Sequence, residues 1–161
     1  MMETKSLLPG DTAPDFILYD TTKNQVRLSG LKGKNVLLLF FPLAFTSVCT
    51  AELCAVRDDL KKYESLDVLP IGISVDSLHT LGKFKTEQNL NFPLLSDFNK
   101  EVSNSYGALY EEFGYGMKGV SKRAAFLIDK EGVIQYTEVL ENAGLQPDFN
   151  AILVKLREIT K

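Results

Sequence analysis

The chain has 161 residues, 45% hydrophobic and 24% charged, with eighteen basic against twenty-one acidic side chains and a net charge of −3. This is the make-up of an ordinary soluble protein long enough for one substantial core, so a single domain over residues 1–161 is expected. No basic run is present and no apolar run is long enough to cross a bilayer, which argues against nucleic-acid and membrane partners.

Residues 1–14 are polar and mixed, without the cationic start and apolar stretch of a secretory leader, so a cytoplasmic location is the expectation. Two cysteines in that compartment point to redox chemistry or metal binding before a structural disulfide. After a turn at residues 10–14, residues 16–19 read as a short strand that residues 20–24 turn back into residues 25–28, a hairpin ahead of the main sheet. Residues 29–34 form a surface loop or one helical turn. Residues 35–41 are an apolar run bounded by Lys34 and Pro42, a fully buried strand.

A helix follows. Thr46 or Ser47 is its N-cap, and Cys49, Leu53, Val56, Leu60 and Tyr63 recur at three- and four-residue steps as its inward stripe. Residues 68–75 make the next strand, in which Pro70 marks an edge, a bulge or a late start. Strand, helix, strand is the unit of a parallel sheet. Asp76 and Ser77 cap a helix whose face is Leu78, Leu81 and Phe84. Residues 91–97 are extended, Val102 and Tyr106 belong to another short helix, and residues 107–119 read as a glycine-containing aromatic loop with a place at the rim of a site. Residues 123–129 and 133–139 are strands joined by a tight turn at 130–132. Pro147 starts a last helix with Phe149, Ile152, Leu153, Leu156 and Ile159 inside. The expected fold is α/β: a central mixed sheet flanked by helices, with an N-terminal β-hairpin.

Cys49 stands at the inner edge of the first helical turn, where unpaired amides and the positive end of the helix dipole favour a thiolate. Thiols so placed can have pKa values lowered to roughly 3.5–7.5, which makes them nucleophiles at neutral pH. A free cysteine is also commonly a buried, silent core residue, so strand, cap and stripe leave both readings open.

The residues around it spell Pro42-x-x-x-Thr46-x-x-Cys49. Together with the opening Gly10-Asp11-x-Ala13-Pro14-Asp15-Phe16 and with Arg123-Ala124-Ala125-Phe126-Leu127-Ile128-Asp129, nearly the whole chain resembles the peroxiredoxins, thiol peroxidases of the thioredoxin superfamily. The resemblance implies a thioredoxin-like fold and a Cys49 that attacks a peroxide oxygen, leaving a sulfenic acid and releasing water or an alcohol. It implies that Thr46 turns its hydroxyl toward the peroxide and that Pro42 shields the sulfur from water. It also implies that Arg123, brought from far along the chain, holds Cys49 ionised and the peroxide in place. Lys122 is the decoy beside it. Glu52 matches a glutamate frequent in the family and has two readings: it organises the arginine or the helix start, or it is an acid serving the dipole.

Cys54 decides the second half of such a cycle. Five residues along an ideal helix means about 140° of rotation and about 7.5 Å of rise, more than the roughly 7 Å between Cα atoms that a disulfide bridges, so a Cys49–Cys54 bond requires the helix start to unwind. The Cys-x-x-x-x-Cys spacing resembles the Q-type or bacterioferritin comigratory peroxiredoxins, which implies Cys54 as the resolving thiol. Phe41-Pro42-Leu43-Ala44-Phe45-Thr46 resembles the alkyl hydroperoxide reductase E type, in which one cysteine suffices and an external thiol resolves. A buried helix cysteine is the plain alternative. No cysteine follows residue 54, so a C-terminal resolving cysteine is excluded within this chain.

The resemblance further implies hydrogen peroxide and organic hydroperoxides as substrates, a thioredoxin-like or glutaredoxin-like reductant, neither heme nor metal, and a monomer or a homodimer. Two rival activities fit the residues less well. A thioredoxin-like disulfide oxidoreductase expects Cys-x-x-Cys and a proline just before the strand facing the site, and residues 119–123 contain none. A copper-binding thioredoxin-fold protein needs two thiolates and a histidine, and this chain offers His79 alone, at a solvent-facing helix position, with a cysteine spacing unsuited to a closed site.

Overall fold

The computed structural model describes residues 7–160, so part of the polar opening, residues 1–6, lies outside the described residues. Seven strands form one sheet: β1 (Ile17–Asp20), β2 (Gln25–Arg27), β3 (Asn35–Phe40), β4 (Val68–Ser74), β5 (Leu94–Ser96), β6 (Arg123–Ile128) and β7 (Ile134–Leu140), in the order β2-β1-β5-β4-β3-β6-β7. β3, β4 and β5 are parallel, whereas β6 and β7 on one side and β1 and β2 on the other pair antiparallel. Five helices, α1 (Ser47–Asp58), α2 (Leu60–Ser65), α3 (Leu78–Glu87), α4 (Glu101–Ser105) and α5 (Phe149–Ile159), flank it among the described residues. The expected helix-flanked mixed sheet is present, with one difference at its edge. The N-terminal hairpin is not set apart from the sheet, because Tyr19 pairs with Ser96 and Asp20 with Leu95. Asp20 makes its turn by accepting from the amides of Thr22 at 2.8 Å and Asn24 at 3.0 Å, the local bonding that suits Asp to turns.

β3 is buried along its whole length, which explains a sequence apolar at every position from Val36 to Phe40 rather than at every second one. Leu37, Leu39 and Phe41 meet Leu53 and Val56 of α1, Leu81 and Phe84 of α3, and Ile152 and Leu156 of α5. Val36, Leu38 and Phe40 meet Phe16, Ile71, Phe126 and Tyr106 on the other face. Each large apolar side chain so buried contributes about 1.5–3 kcal/mol, and that burial fixes α1 against β3.

The apolar stripe that reads as one helix through Tyr63 is carried by two. Asp59, at φ −102° and ψ 14°, closes α1 with its amide shared between the carbonyls of Ala55 and Val56, both at 3.2 Å. Such sharing tightens a last turn without turning the buried face away, and Tyr63 of α2 stays in the same core.

Pro70 lies within a central strand, where a missing amide would ordinarily break a ladder. Its position removes the conflict. The Gly72 amide donates to the Pro93 carbonyl and the Ser74 carbonyl accepts from Asp97, so alternate residues of β4 aim their backbone at β5. β5 first pairs at Gly72, opposite Leu94, so Pro70, the preceding member of that series, has no strand on its β5 side although it is in register with Leu37 of β3 on the other. An amide there would have had no partner in the sheet.

Candidate active site

β3 delivers the chain into the site. Phe41 donates its amide to the Ile73 carbonyl at 3.0 Å, and Pro42, which has no amide hydrogen and is buried, follows where the strand ends. The Ala44 amide donates to Asp76 Oδ2 at 2.8 Å, tying this connection to the end of β4, and Ser74 Oγ donates to the same oxygen at 2.6 Å. Phe45 sits at φ +66°, a left-handed conformation unusual for a bulky residue, with its ring edge-on to Phe84 at 5.1 Å between centroids. Such a residue stores on the order of 1–3 kcal/mol of strain, which the surrounding contacts must offset.

Thr46 is the backbone N-cap of α1, at φ −97° and ψ 153°, but its side chain does not cap. Its hydroxyl donates to the Leu43 carbonyl at 2.8 Å, and the first intrahelical bond runs from the Thr50 amide to the Thr46 carbonyl at 2.9 Å. The amides of Ser47, Val48 and Cys49 therefore lack intrahelical acceptors, as the first turn of a helix must.

Cys49 and Glu52 of α1 and Arg123 at the start of β6 form a buried cluster. Arg123 Nη2 donates to Cys49 Sγ at 3.2 Å, Nη1 donates to Glu52 Oε2 at 2.8 Å, and Nε donates to the Ala143 carbonyl at 3.0 Å. The three side chains are 0%, 0% and 2% exposed for Cys49, Glu52 and Arg123, so the sulfur is shut off from solvent in this conformation. A guanidinium has five hydrogens, and these bonds leave one on each Nη.

Charge in this cluster is unequally held. Burial opposes the Arg123 cation, yet Glu52 and Cys49 beside it hold it above its usual range, so it is charged at every relevant pH. Burial pushes the Glu52 carboxyl up to about 7 against the pull of Arg123, with Glu138 of β7 adding to the rise. Glu52 Oε1 is buried without a hydrogen-bond partner, the geometric counterpart of that penalty. In this ion pair Arg123 is therefore the permanent charge, and Glu52 the partner whose charge changes near neutrality.

The residues singled out from the sequence are thus divided. The structure brings Cys49, Arg123 and Glu52 together and places Pro42 and Thr46 on the connection into α1. Lys122 turns elsewhere, pairing with Glu141 at 2.7 Å. Cys54 lies five residues further on the same helix, half-buried, with Sγ 3.6 Å from Gln88 Oε1, and both cysteines are free thiols. His79 is exposed on α3, and no cluster of three metal-ligating side chains occurs among the described residues. Of the two residues read as caps of α3, only Ser77 caps, accepting from the Thr80 amide. Asp76 instead holds Ala44. The 107–119 loop contributes Tyr110, packed with Val75 and Val120 beside Leu43 and Ala143, its hydroxyl donating to the Leu140 carbonyl at 3.0 Å. An apolar cavity of about 240 Å³ between Ala13, Leu28, Val36 and Ile128 has none of these groups in its lining.

Residues 9–137 match the model of the AhpC/TSA family. The chain is 42% identical over 133 residues to alkyl hydroperoxide reductase E of Mycobacterium tuberculosis, covering 81% of this chain and 84% of that one. The crystal structure of peroxidoxin BcpB from the same organism superposes with a TM-score of 0.82 at 33% identity, over 94% of this chain and 97% of that one. A peroxiredoxin-like protein from Aquifex aeolicus gives a TM-score of 0.87 at 25% identity, over 96% and 89%. A sulfur, a permanent cation and a helix start on this sheet, in a chain so related, lead to one conclusion: the chain belongs to the AhpC/TSA family, the peroxiredoxins, and is a thiol-dependent peroxidase.

Proposed function

We propose that Cys49 is the peroxidatic thiol, acting on hydrogen peroxide and organic hydroperoxides within a single domain over residues 1–161. The observation that carries this reading is the 3.2 Å contact between Arg123 Nη2 and Cys49 Sγ inside a buried site. A guanidinium there is a permanent cation donating directly to the attacking sulfur. The sulfur attacks one peroxide oxygen in line, an S–O bond forming as the O–O bond breaks, and the departing oxygen leaves as water or an alcohol once protonated. Negative charge grows on that oxygen, and the hydrogens left on Arg123 together with the Val48 and Cys49 amides are donors for it. Thr46 serves in the sense opposite to the simplest expectation. With its proton committed to the Leu43 carbonyl, its oxygen accepts from the peroxide O–H and so orients it. Pro42, buried and without an amide hydrogen, limits the water that reaches the sulfur.

The sulfenic acid on Cys49 is then resolved by Cys54 within the chain, and a thioredoxin-like or glutaredoxin-like dithiol reduces the disulfide. Two free thiols suit a reducing compartment, and we place the reaction in the cytoplasm. No helix among the described residues is long and apolar enough to cross a membrane. The test is peroxide consumption by reduced protein in single-turnover mixing. Cys49→Ser is expected to abolish it, and fast consumption surviving in that variant overturns the assignment.

A further inference from the structure

Cys54 is not held by the cluster around Cys49. It sits in a second polar arrangement, where α1 meets the segment that follows α3. Its Sγ donates to Gln88 Oε1 at 3.6 Å, Arg57 Nη1 donates to the Gln88 carbonyl at 2.6 Å, and Asn91 Nδ2 donates to the Arg57 carbonyl at 3.3 Å. Arg57 stands three positions after Cys54, which puts both on one side of the helix, and its guanidinium spans Asp58 Oδ1, to which Nε donates at 2.9 Å, and the Gln88 carbonyl. One amide side chain, one guanidinium and three bonds across 31 to 34 residues of chain therefore converge on the thiol and on the turn after it.

The consequence follows from helix geometry. α1 is helical through both cysteines, so their Cα atoms stand about 9 Å apart and cannot be bridged until part of the helix unwinds. The bonds to Gln88 and Asn91 fasten the end of α1 beyond Cys54. The residues that must unwind are those before it, including the turn that carries Cys49.

We infer that Gln88 and Arg57 are positioning residues for Cys54: Arg57 fixes the Gln88 backbone, and Gln88 holds the Cys54 sulfur in place, through its attack on the Cys49 sulfenic acid, while the first turns of α1 unwind. The inference rests on the reading of Cys54 as the resolving thiol. Before reaction the Gln88 carbonyl oxygen accepts the S–H. Once that proton leaves, rotation of the same side chain presents its NH₂, so one amide serves thiol and thiolate alike. The thiolate attacks Cys49 Sγ, the S–S bond forms as the S–O bond breaks, and hydroxide departs and is neutralised by the proton that Cys54 gave up. No further oxidant enters, because the peroxide has already taken two electrons from Cys49.

The experiment separates the two steps on one sample. Reduced wild-type protein and the Gln88→Ala, Gln88→Glu, Arg57→Met and Arg57→Lys variants are mixed with one equivalent of hydrogen peroxide, quenched at intervals, and the sulfenic acid and intrachain disulfide are counted by mass. Loss of the Cys49 thiol is expected at the same rate in all five. Disulfide formation is expected to slow by about tenfold in Gln88→Ala, the effect of removing one hydrogen bond to the attacking sulfur, and by a comparable factor in Arg57→Met, which frees the Gln88 backbone from α1. Arg57→Lys is expected to recover part of that rate, because it keeps a cationic donor for the Gln88 carbonyl. Gln88→Glu keeps the shape but sets a carboxylate against the thiolate, so it is expected to be as slow as Gln88→Ala, whereas a merely structural role predicts a normal rate. Disulfide formation at the wild-type rate in Gln88→Glu and Arg57→Lys overturns the inference, even should the more disruptive variants fold poorly. A wild-type sulfenic acid that persists without any intrachain disulfide instead removes Cys54 from the resolving role, a failure of the underlying reading that is recognised before any variant is compared.

Discussion

Substituting Glu52 by Gln separates the charge of that side chain from its shape. The carboxyl is wholly buried and is pushed up to about 7 from an ordinary 4.5, chiefly by burial. A raised carboxyl binds its proton more tightly in the folded state than in the unfolded one. The stability it contributes is therefore fully present below pH 4.5 and is lost as pH rises through about 7. A shift of that size corresponds to about 3 kcal/mol between pH 4 and pH 8. Gln keeps an oxygen for Arg123 Nη1 and cannot ionise, so Glu52→Gln is expected to match the wild type near pH 4 and to exceed it by up to about 3 kcal/mol at pH 8. Urea unfolding of both reduced proteins at a series of pH values measures the difference directly. Should Glu52→Gln be several kcal/mol less stable than the wild type at pH 8, the carboxylate is a required counter-ion for Arg123, and the account of burial outweighing the ion pair is wrong.

Arg123→Met removes the donor to Cys49 and is expected to lower the rate of Cys49 oxidation by hydrogen peroxide about 10²–10³-fold, as loss of a transition-state donor does elsewhere. Lys122→Met, next to it but paired with Glu141, is expected to leave that rate unchanged, and equal losses in stopped-flow mixing would refute the distinction. Asp76→Ala orphans the Ala44 amide and the Ser74 hydroxyl, and is expected to destabilise by about 1–3 kcal/mol and to slow Cys49 oxidation together. A stability loss with an unaltered rate would show that the Asp76 contact does not set the site.

The layered sheet is legible because its signals are regular: a doubly buried β3 reads apolar at every position after Asn35, and α1 and α5 repeat at helical steps. The break at Asp59 escapes notice because a tightened turn leaves the apolar stripe intact. Cys49 and Arg123 are found through a motif, since nothing in spacing alone joins a helix start to a strand begun 74 residues later. The roles of Asp76 and Ser77 are confounded for a chemical reason, as both are good N-caps and only one residue can occupy the position. Thr46 is of the right type at the right place, but which way a hydroxyl turns depends on an acceptor three residues back. Gln88 and Ala143 present backbone carbonyls to Arg57 and Arg123, and every residue has a carbonyl, so no pattern of side chains announces them.

Pro70 lies outside the site, yet it bears on how β4 is aligned beneath it. Were β4 to slip by two residues against β5, this residue would stand opposite the acceptor that the Gly72 amide now uses, and it has no hydrogen to offer. The mispaired alignment is thereby penalised and the native one retained. Because Asp76 lies just past the end of the same strand, a ring at one end of β4 helps decide the height at which the carboxylate meets Ala44 at the other. A search for distant mutations that blunt peroxide turnover would sensibly start at this imino acid.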